Sequence, residues 1–424
     1  MAKYSLDELY RDALRSIYFK NDPEGGLRKL KRLQETLDAS ADGDTPLMFR
    51  VPARILLLEE RFTDAKAQAE AGLLFFDEDA DLILILATAE INLGHTEEAV
   101  KIIDEALKYL KDDRELAAIA YLLRGDVWGR EKKFDLQIEE YKKALQMHEK
   151  FPLVYELMGH CHLESGRPDL ARDAFRRALS YKVPMPWSHL GLGIALKNLG
   201  DMRGAITEFY RVIEGDGGPE VKYRAYRNLA SCYYRKRELA EARKFYAKAL
   251  EFVPRDVATL CDLTVVCIES GEYSDASDFL NMALKQALSG PPTVRETLTK
   301  GLANVRSIAG NDTVKAFLRD KRITEDPLTH AMAYLYLGIL FESQEKYRDA
   351  KTVLDRAVEI FERPKDRHAE HAREARRRLE DLEHLLEELF EAVEKEPRKK
   401  RKGSEKPPYV NFSRFRRLSL IRRR

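Results

Sequence analysis

The side chains able to do covalent or metal chemistry are few, and their spacing argues against it. Cys161, Cys232, Cys261 and Cys267 include no C-x-x-C pair and no ligand-like spacing with a histidine, so they read as free thiols of a reducing compartment. His160 and His162 fall on opposite faces of one helix, and His368 and His371 lie a turn apart on a charged helix without a third ligand. Gly191-Leu192-Gly193 opens like a dinucleotide fingerprint but lacks the third glycine and a preceding strand, and helix packing already requires Gly193. Pairs such as Asp112-Asp113 and Glu97-Glu98 are ordinary solvated charges. No catalytic residue, metal site or cofactor is therefore expected, and the chain does not read as an enzyme.

The elements carrying these residues are helical. A chain of 424 residues exceeds one ordinary core, which points to several domains or a repeat array. Its 22 Gly and 16 Pro are few, while 44% of residues are apolar and 34% charged, which excludes collagen-like, disordered and disulfide-scaffold classes. The charged start Met-Ala-Lys-Tyr-Ser-Leu-Asp-Glu lacks the apolar stretch of a signal peptide. The apolar run Leu82 to Ala87 ends well short of the roughly 20 residues a membrane span needs, so a cytoplasmic location is expected. The formal charge of +1 hides an asymmetry, because residues 395–424 carry +11 and residues 1–394 carry −10. An acidic body and a basic tail need separate accounts.

The body is a repeat of period 34, with units starting at Pro46, Ala80, Ala118, Pro152, Pro186, Tyr223, Val257 and Ala331. Each unit shows two helical blocks around a Gly or charged turn, such as Gly94-His95-Thr96 or Gly200-Asp201. The insertions Arg114 to Ala117 and Glu220 to Lys222 are expected in surface turns. Position 20 is alanine in seven of eight units, Gln137 being the departure, and positions 8 and 27 are also small. Position 24 supplies bulky Tyr141, Phe175, Phe209, Tyr246, Leu280 and Leu354. Small residues at fixed places mark close helix crossings, where axes about 8 to 10 Å apart leave no room for larger side chains. Pro52, inside the first helix of unit 46–79, is expected to kink or restart it.

Small residues at 8, 20 and 27 with bulky ones at 4, 7, 11 and 24 resemble the tetratricopeptide repeat; unit 152–185 displays the pattern in Tyr155, Met158-Gly159, Ala171, Phe175 and Ala178. The resemblance implies an all-α, right-handed superhelical solenoid of antiparallel hairpins with a C-terminal capping helix. Residues 1–45 would form a degenerate opening hairpin, 46–290 seven repeats (46–79, 80–113, 118–151, 152–185, 186–219, 223–256 and 257–290), and 291–330 a divergent hairpin. A further repeat would occupy 331–364, the cap 365–394, and a basic, disordered tail 395–424.

The resemblance also implies an adaptor or scaffold whose first helices, through positions 2, 5, 9 and 12, line a groove holding a peptide or helix of another protein. That row is apolar early (Leu47, Leu57, Leu84, Ile91, Ile119, Leu122, Leu153 and Leu163), and about half of it could simply pack between neighbouring first helices. It continues as Glu156, His160, Trp187, Leu190, Ile194, Arg224, Arg227 and Tyr234, then Cys261, Val265 and Ile268; Trp187, Arg224, Arg227 and Tyr234 are the leading candidates, because Trp, Tyr and Arg dominate interface energetics. The two-carboxylate clamp of related co-chaperones is not assembled. Asn228 holds position 6, but the preceding unit offers Leu190 and Ile194 at positions 5 and 9.

The tail places Lys399, Lys400, Arg401 and Lys402 before Phe412, Phe415, Arg416 and Arg417. It suits anionic lipid or nucleic acid, a nuclear import signal, or a plain solvated counter-charge docked on an acidic body, its own or a neighbour's. The alternative function is therefore a nucleic-acid- or membrane-associated regulator recruited by this tail while the repeats hold a protein cargo. A homo-oligomer also stays open.

Overall fold

The computed structural model describes residues 5–39, 45–291, 293–294, 297–298, 300–301, 327–342, 347–361 and 372–384, and among them every regular element is a helix. The chain divides into two compact units, residues 1–311 and 312–424. In the first, α1 (Leu6–Leu14) runs into a π-helical turn (Arg15–Phe19) and is followed by α2 (Pro23–Asp38). Seven hairpins follow: α3 (Leu47–Leu58) with α4 (Phe62–Leu73), α5 (Ala80–Leu93) with α6 (Thr96–Tyr109), α7 (Arg114–Arg130) with α8 (Phe134–Met147), α9 (Pro152–Glu164) with α10 (Pro168–Leu179), α11 (Pro186–Asn198) with α12 (Met202–Glu214), α13 (Pro219–Arg235) with α14 (Leu239–Phe252), and α15 (Val257–Glu269) with α16 (Tyr273–Ser289). The second unit pairs α17 (Pro327–Glu342) with α18 (Tyr347–Phe361), and a helical stretch at 372–384 ties to α18 through Lys351 and Glu383, 2.6 Å apart.

Local chemistry sets the helix ends. Asp79, Asp113, Asp201 and Asp256 cap α5, α7, α12 and α15 by accepting backbone N–H bonds, which satisfies donors that the first turn leaves open. The turn inside each of the seven hairpins demands a left-handed residue at position 15. Glycine fills it at Gly94, Gly166, Gly200 and Gly271, whereas Glu60, Lys132 and Arg237 adopt φ of 59°, 58° and 63° there.

Packing explains the small columns. A Cβ on Gly159 would lie 2.7 Å from the Phe175 ring, and one on Gly193 2.5 Å from the Phe209 ring, so position 8 is small because the aromatic of position 24 crosses it within the same hairpin. Gly125 with Tyr141 and Gly338 with Leu354 repeat the arrangement. Burying each such ring contributes about 1.5–3 kcal/mol. The exceptional Gln137 is accommodated by Gly129, whose missing side chain leaves the amide room, and its Nε2 donates to the Tyr141 hydroxyl at 2.9 Å.

Two expectations are corrected. The insertions Arg114 to Ala117 and Glu220 to Lys222 do not form turns; they lengthen α7 and α13 to 17 residues each, because Asp113 caps α7 and Pro219 occupies the first turn of α13, moving both helix starts upstream. Of the two outcomes expected at Pro52, the restart does not occur: α3 continues from Leu47 to Leu58, with Val51, Ala53 and Arg54 buried beside the proline.

Candidate partner-binding surface

First helices of successive hairpins touch one another, α3 with α5, α5 with α7, α9 with α11 and α11 with α13, forming the layer that holds the predicted row. The early part of that row is closed by the chain itself. Leu47, Leu84, Ile91, Ile119 and Leu122 are all at most 3% exposed. Tyr10 and Leu14 pack with Leu47, and Tyr18 and Phe19 pack against the clusters holding Leu84, Ile119, Leu122 and Phe151. The same segment follows the N-terminal ends of the first helices. Arg11 donates to Asp113 at 2.8 Å and Arg15 to Glu115 at 2.9 Å, the Phe19 ring lies 4.1 Å from His148 and 4.5 Å from Phe151, and Asn21 Nδ2 donates to the Pro184 carbonyl at 3.0 Å.

A buried charge network fixes this arrangement. Tyr10 donates its hydroxyl to Asp81 Oδ2 at 2.6 Å, and the Arg54 guanidinium donates to Asp81 Oδ1 and, at 3.0 Å, to Tyr18. Burial pushes the Asp81 carboxyl up, but Arg54, Arg50 and the Tyr10 hydroxyl outweigh it and hold it below its ordinary value. Two buried charges that satisfy each other cost little together and a great deal if one is removed.

Beyond α7 the row changes character. Glu156 is buried and accepts from Ser188 Oγ at 2.6 Å, and burial pushes its carboxyl up. His160 is half-buried, edge-on to Phe175 at 5.0 Å; burial first, and then the positive charge of Arg224, bring its pKa down to about 4, so it is neutral near pH 7. Leu190 is 2% exposed and belongs to the packing beneath, with Ile194 half-buried against the same cluster. Trp187 is half-buried, and the Arg224 guanidinium lies over its ring at 5.4 Å while also pairing with Glu220 at 2.8 Å. Arg227 pairs with Asp262 at 3.4 Å, and the Tyr234 hydroxyl donates to Glu269 at 3.1 Å, burial and that carboxylate raising its pKa to about 12.

One residue of this surface was passed over in the sequence. Lys197 occupies position 12 of its unit, where neighbouring units carry Leu163, Tyr234 and Ile268, and a lone cation in an apolar column was the signal available. It is half-buried, and its Nζ donates to Asn228 Oδ1 at 2.6 Å.

The four cysteines are buried and free. Burial pushes the Cys161 thiol up to about 11 and those of Cys261 and Cys267 up to about 12, far from a reactive thiolate. No group of three or more His, Cys, Asp or Glu side chains could hold a metal ion, and no helix is long and apolar enough to cross a membrane, again among the described residues. The tail residues Lys399, Lys400, Arg401, Lys402, Phe412, Phe415, Arg416 and Arg417 lie outside the described residues, as does most of 291–330.

Sequential helical hairpins with small-residue crossings define a repeat scaffold rather than a fold built around a pocket. Family models described as tetratricopeptide repeat match residues 84–152, 157–220 and 222–289. Residues 84–152, 157–220 and 222–289 are thus tetratricopeptide repeats, a family whose members generally mediate protein–protein interactions and are typically non-enzymatic scaffolds. Similar solved structures include YrrB, described as a TPR protein with an unusual peptide-binding site (22% identity, 44% of this chain and 92% of that one, TM-score 0.37). Pseudomonas aeruginosa PilF (20% identity, 54% and 98%, TM-score 0.43) and the APC/C hetero-tetramer Cut9–Hcn1 (16% identity, 70% and 67%, TM-score 0.44) are others. No curated protein matches the sequence significantly.

Proposed function

We propose that the chain is an adaptor that holds a peptide or helix of a partner protein against its first helices from α9 to α13. Trp187 and Arg224 are the anchors, His160, Ile194, Arg227 and Tyr234 border them, and Glu156 and Leu190 lie beneath as support. One observation carries the reading. The apolar wall of α3 to α7 is filled by the chain's own Tyr10 to Phe19, whereas Trp187 stays half-buried under an exposed arginine, the pair of residue types most often decisive at interfaces.

Affinity capture with wild type and with a Trp187→Ala, Arg224→Glu double variant tests it, after circular dichroism has verified that the variant keeps its helix content. Loss of a specific partner is expected. An unchanged partner set sinks the proposal.

The +11 charge of residues 395–424 supports a second contact, with anionic lipid or nucleic acid, through Lys399, Lys400, Arg401, Lys402, Phe412, Phe415, Arg416 and Arg417. In that arrangement the tail recruits and the repeats hold the cargo, and a cytoplasmic setting suits both roles.

A further inference from the structure

Charge along the body is uneven. Residues 223–256 hold nine Lys and Arg against four Asp and Glu, inside a body whose net charge is −10. Part of that excess meets Lys197 where α11 packs beside α13. Lys197 Nζ is held by a neutral amide oxygen, that of Asn228, and among the described residues no carboxylate lies within ion-pairing distance of it. Burial holds its pKa below the ordinary lysine value; the Cys232 sulfur opposes the shift, but burial raises that thiol's own pKa, and the charges of Arg235 and Arg227 add to the lowering. Asp262 of α15 also acts on Lys197 but is already paired with Arg227 at 3.4 Å, and burial raises its own pKa, which weakens it as a counter-charge. Arg235 is exposed and makes no ion pair among the described residues.

A half-buried ammonium without a counter-ion costs stability, and a fold keeps such a group most readily where a ligand supplies the missing charge. We infer that Lys197, with the charges of Arg235 and Arg227 of α13 acting on it, receives the side-chain carboxylate of an aspartate or glutamate in an acidic partner segment, about 15 Å along α11 from Trp187. The inference rests on the adaptor reading above and adds the chemistry of what is held. Asn228 is committed on both sides, its oxygen to Lys197 and its Nδ2 to the Arg224 carbonyl at 2.9 Å. That leaves two ammonium protons and the Arg235 fork, a donor set matched to the two oxygens of a carboxylate.

The test is selection of a displayed library of random short peptides against the full chain, followed by titration of the selected peptides against wild type, Lys197→Met and Arg235→Gln. Enrichment of Asp and Glu is expected, with each variant weakening the acidic peptides roughly tenfold or more and a Glu→Gln copy of the peptide losing as much. Lys197→Met should unfold at the same or a higher temperature than wild type, so that weaker binding is not a folding defect. Selected peptides without acidic enrichment, or acidic ones that bind both variants as well as wild type, overturn the carboxylate while leaving the adaptor reading in place. A phosphoserine copy that binds tenfold tighter than the carboxylate form overturns it in favour of phosphate. If no peptide is selected, both readings fall.

Discussion

Gly191 and Gly193 show how a residue can look like chemistry and be packing. The Phe175 ring lies 2.2 Å from where a Gly191 Cβ would be and the Phe209 ring 2.5 Å from that of Gly193, so two crossings, not a phosphate loop, keep both small. Asp126 is the reverse case, an unremarkable residue in the sequence with consequences in the fold. It accepts the Tyr141 hydroxyl at 2.8 Å, and burial raises its pKa to about 6. The folded state therefore binds its proton more tightly than the unfolded chain, so stability falls as pH rises from about 4 to about 6 and stays reduced above that. Asp126→Asn keeps an acceptor oxygen and removes the loss. Denaturation midpoints should show the variant more stable by about 1–3 kcal/mol at pH 7, with the difference vanishing below about pH 4. A difference independent of pH would refute the assignment.

Among the elements, α1 and its π-helical turn do most to redefine the molecule. They lie along the N-terminal ends of α5, α7 and α9 and fill the wall that an apolar row alone marks as open. Their hold is unequal. Arg11 and Arg15 are about half exposed, and such pairs contribute about 0–1 kcal/mol, whereas the Tyr10 hydroxyl closes a buried network around Arg54 and Asp81. Tyr10→Phe should therefore lower the denaturation midpoint by the equivalent of about 1–3 kcal/mol and speed amide exchange in α5, while Arg11→Gln with Arg15→Gln should cost less than about 1 kcal/mol. Equal losses in the two variants would mean that the segment is held by its surface charges.

At the scale of the whole molecule, charge separates two modes of association. The proposed contacts at Trp187 and Ile194 should survive moderate salt and the single carboxylate contact at Lys197 should weaken only modestly, whereas a tail of +11 should bind phosphate-bearing surfaces with affinity that falls steeply as salt rises. Deleting residues 396–424 is expected to abolish salt-sensitive binding to anionic vesicles and to nucleic acid. Cosedimentation and gel-shift titrations that remain unchanged would remove the tail from the function.

The sequence by itself determined the helical class, the hairpin period and the small columns, because a helix crossing needs a small residue at a fixed register and the chain repeats that register every 34 residues. It also marked Trp187, Arg224, Arg227 and Tyr234 as unusual, though not their partners. Only the tertiary structure decided that Tyr18 and Phe19 pack against the clusters holding Leu84, Ile119 and Leu122, that α7 and α13 absorb their insertions as extra helix, and that Lys197 meets Asn228 rather than an acid. Periodicity reports which face a residue occupies on its own helix. What covers that face depends on segments dozens of residues away, and no local pattern encodes that distance.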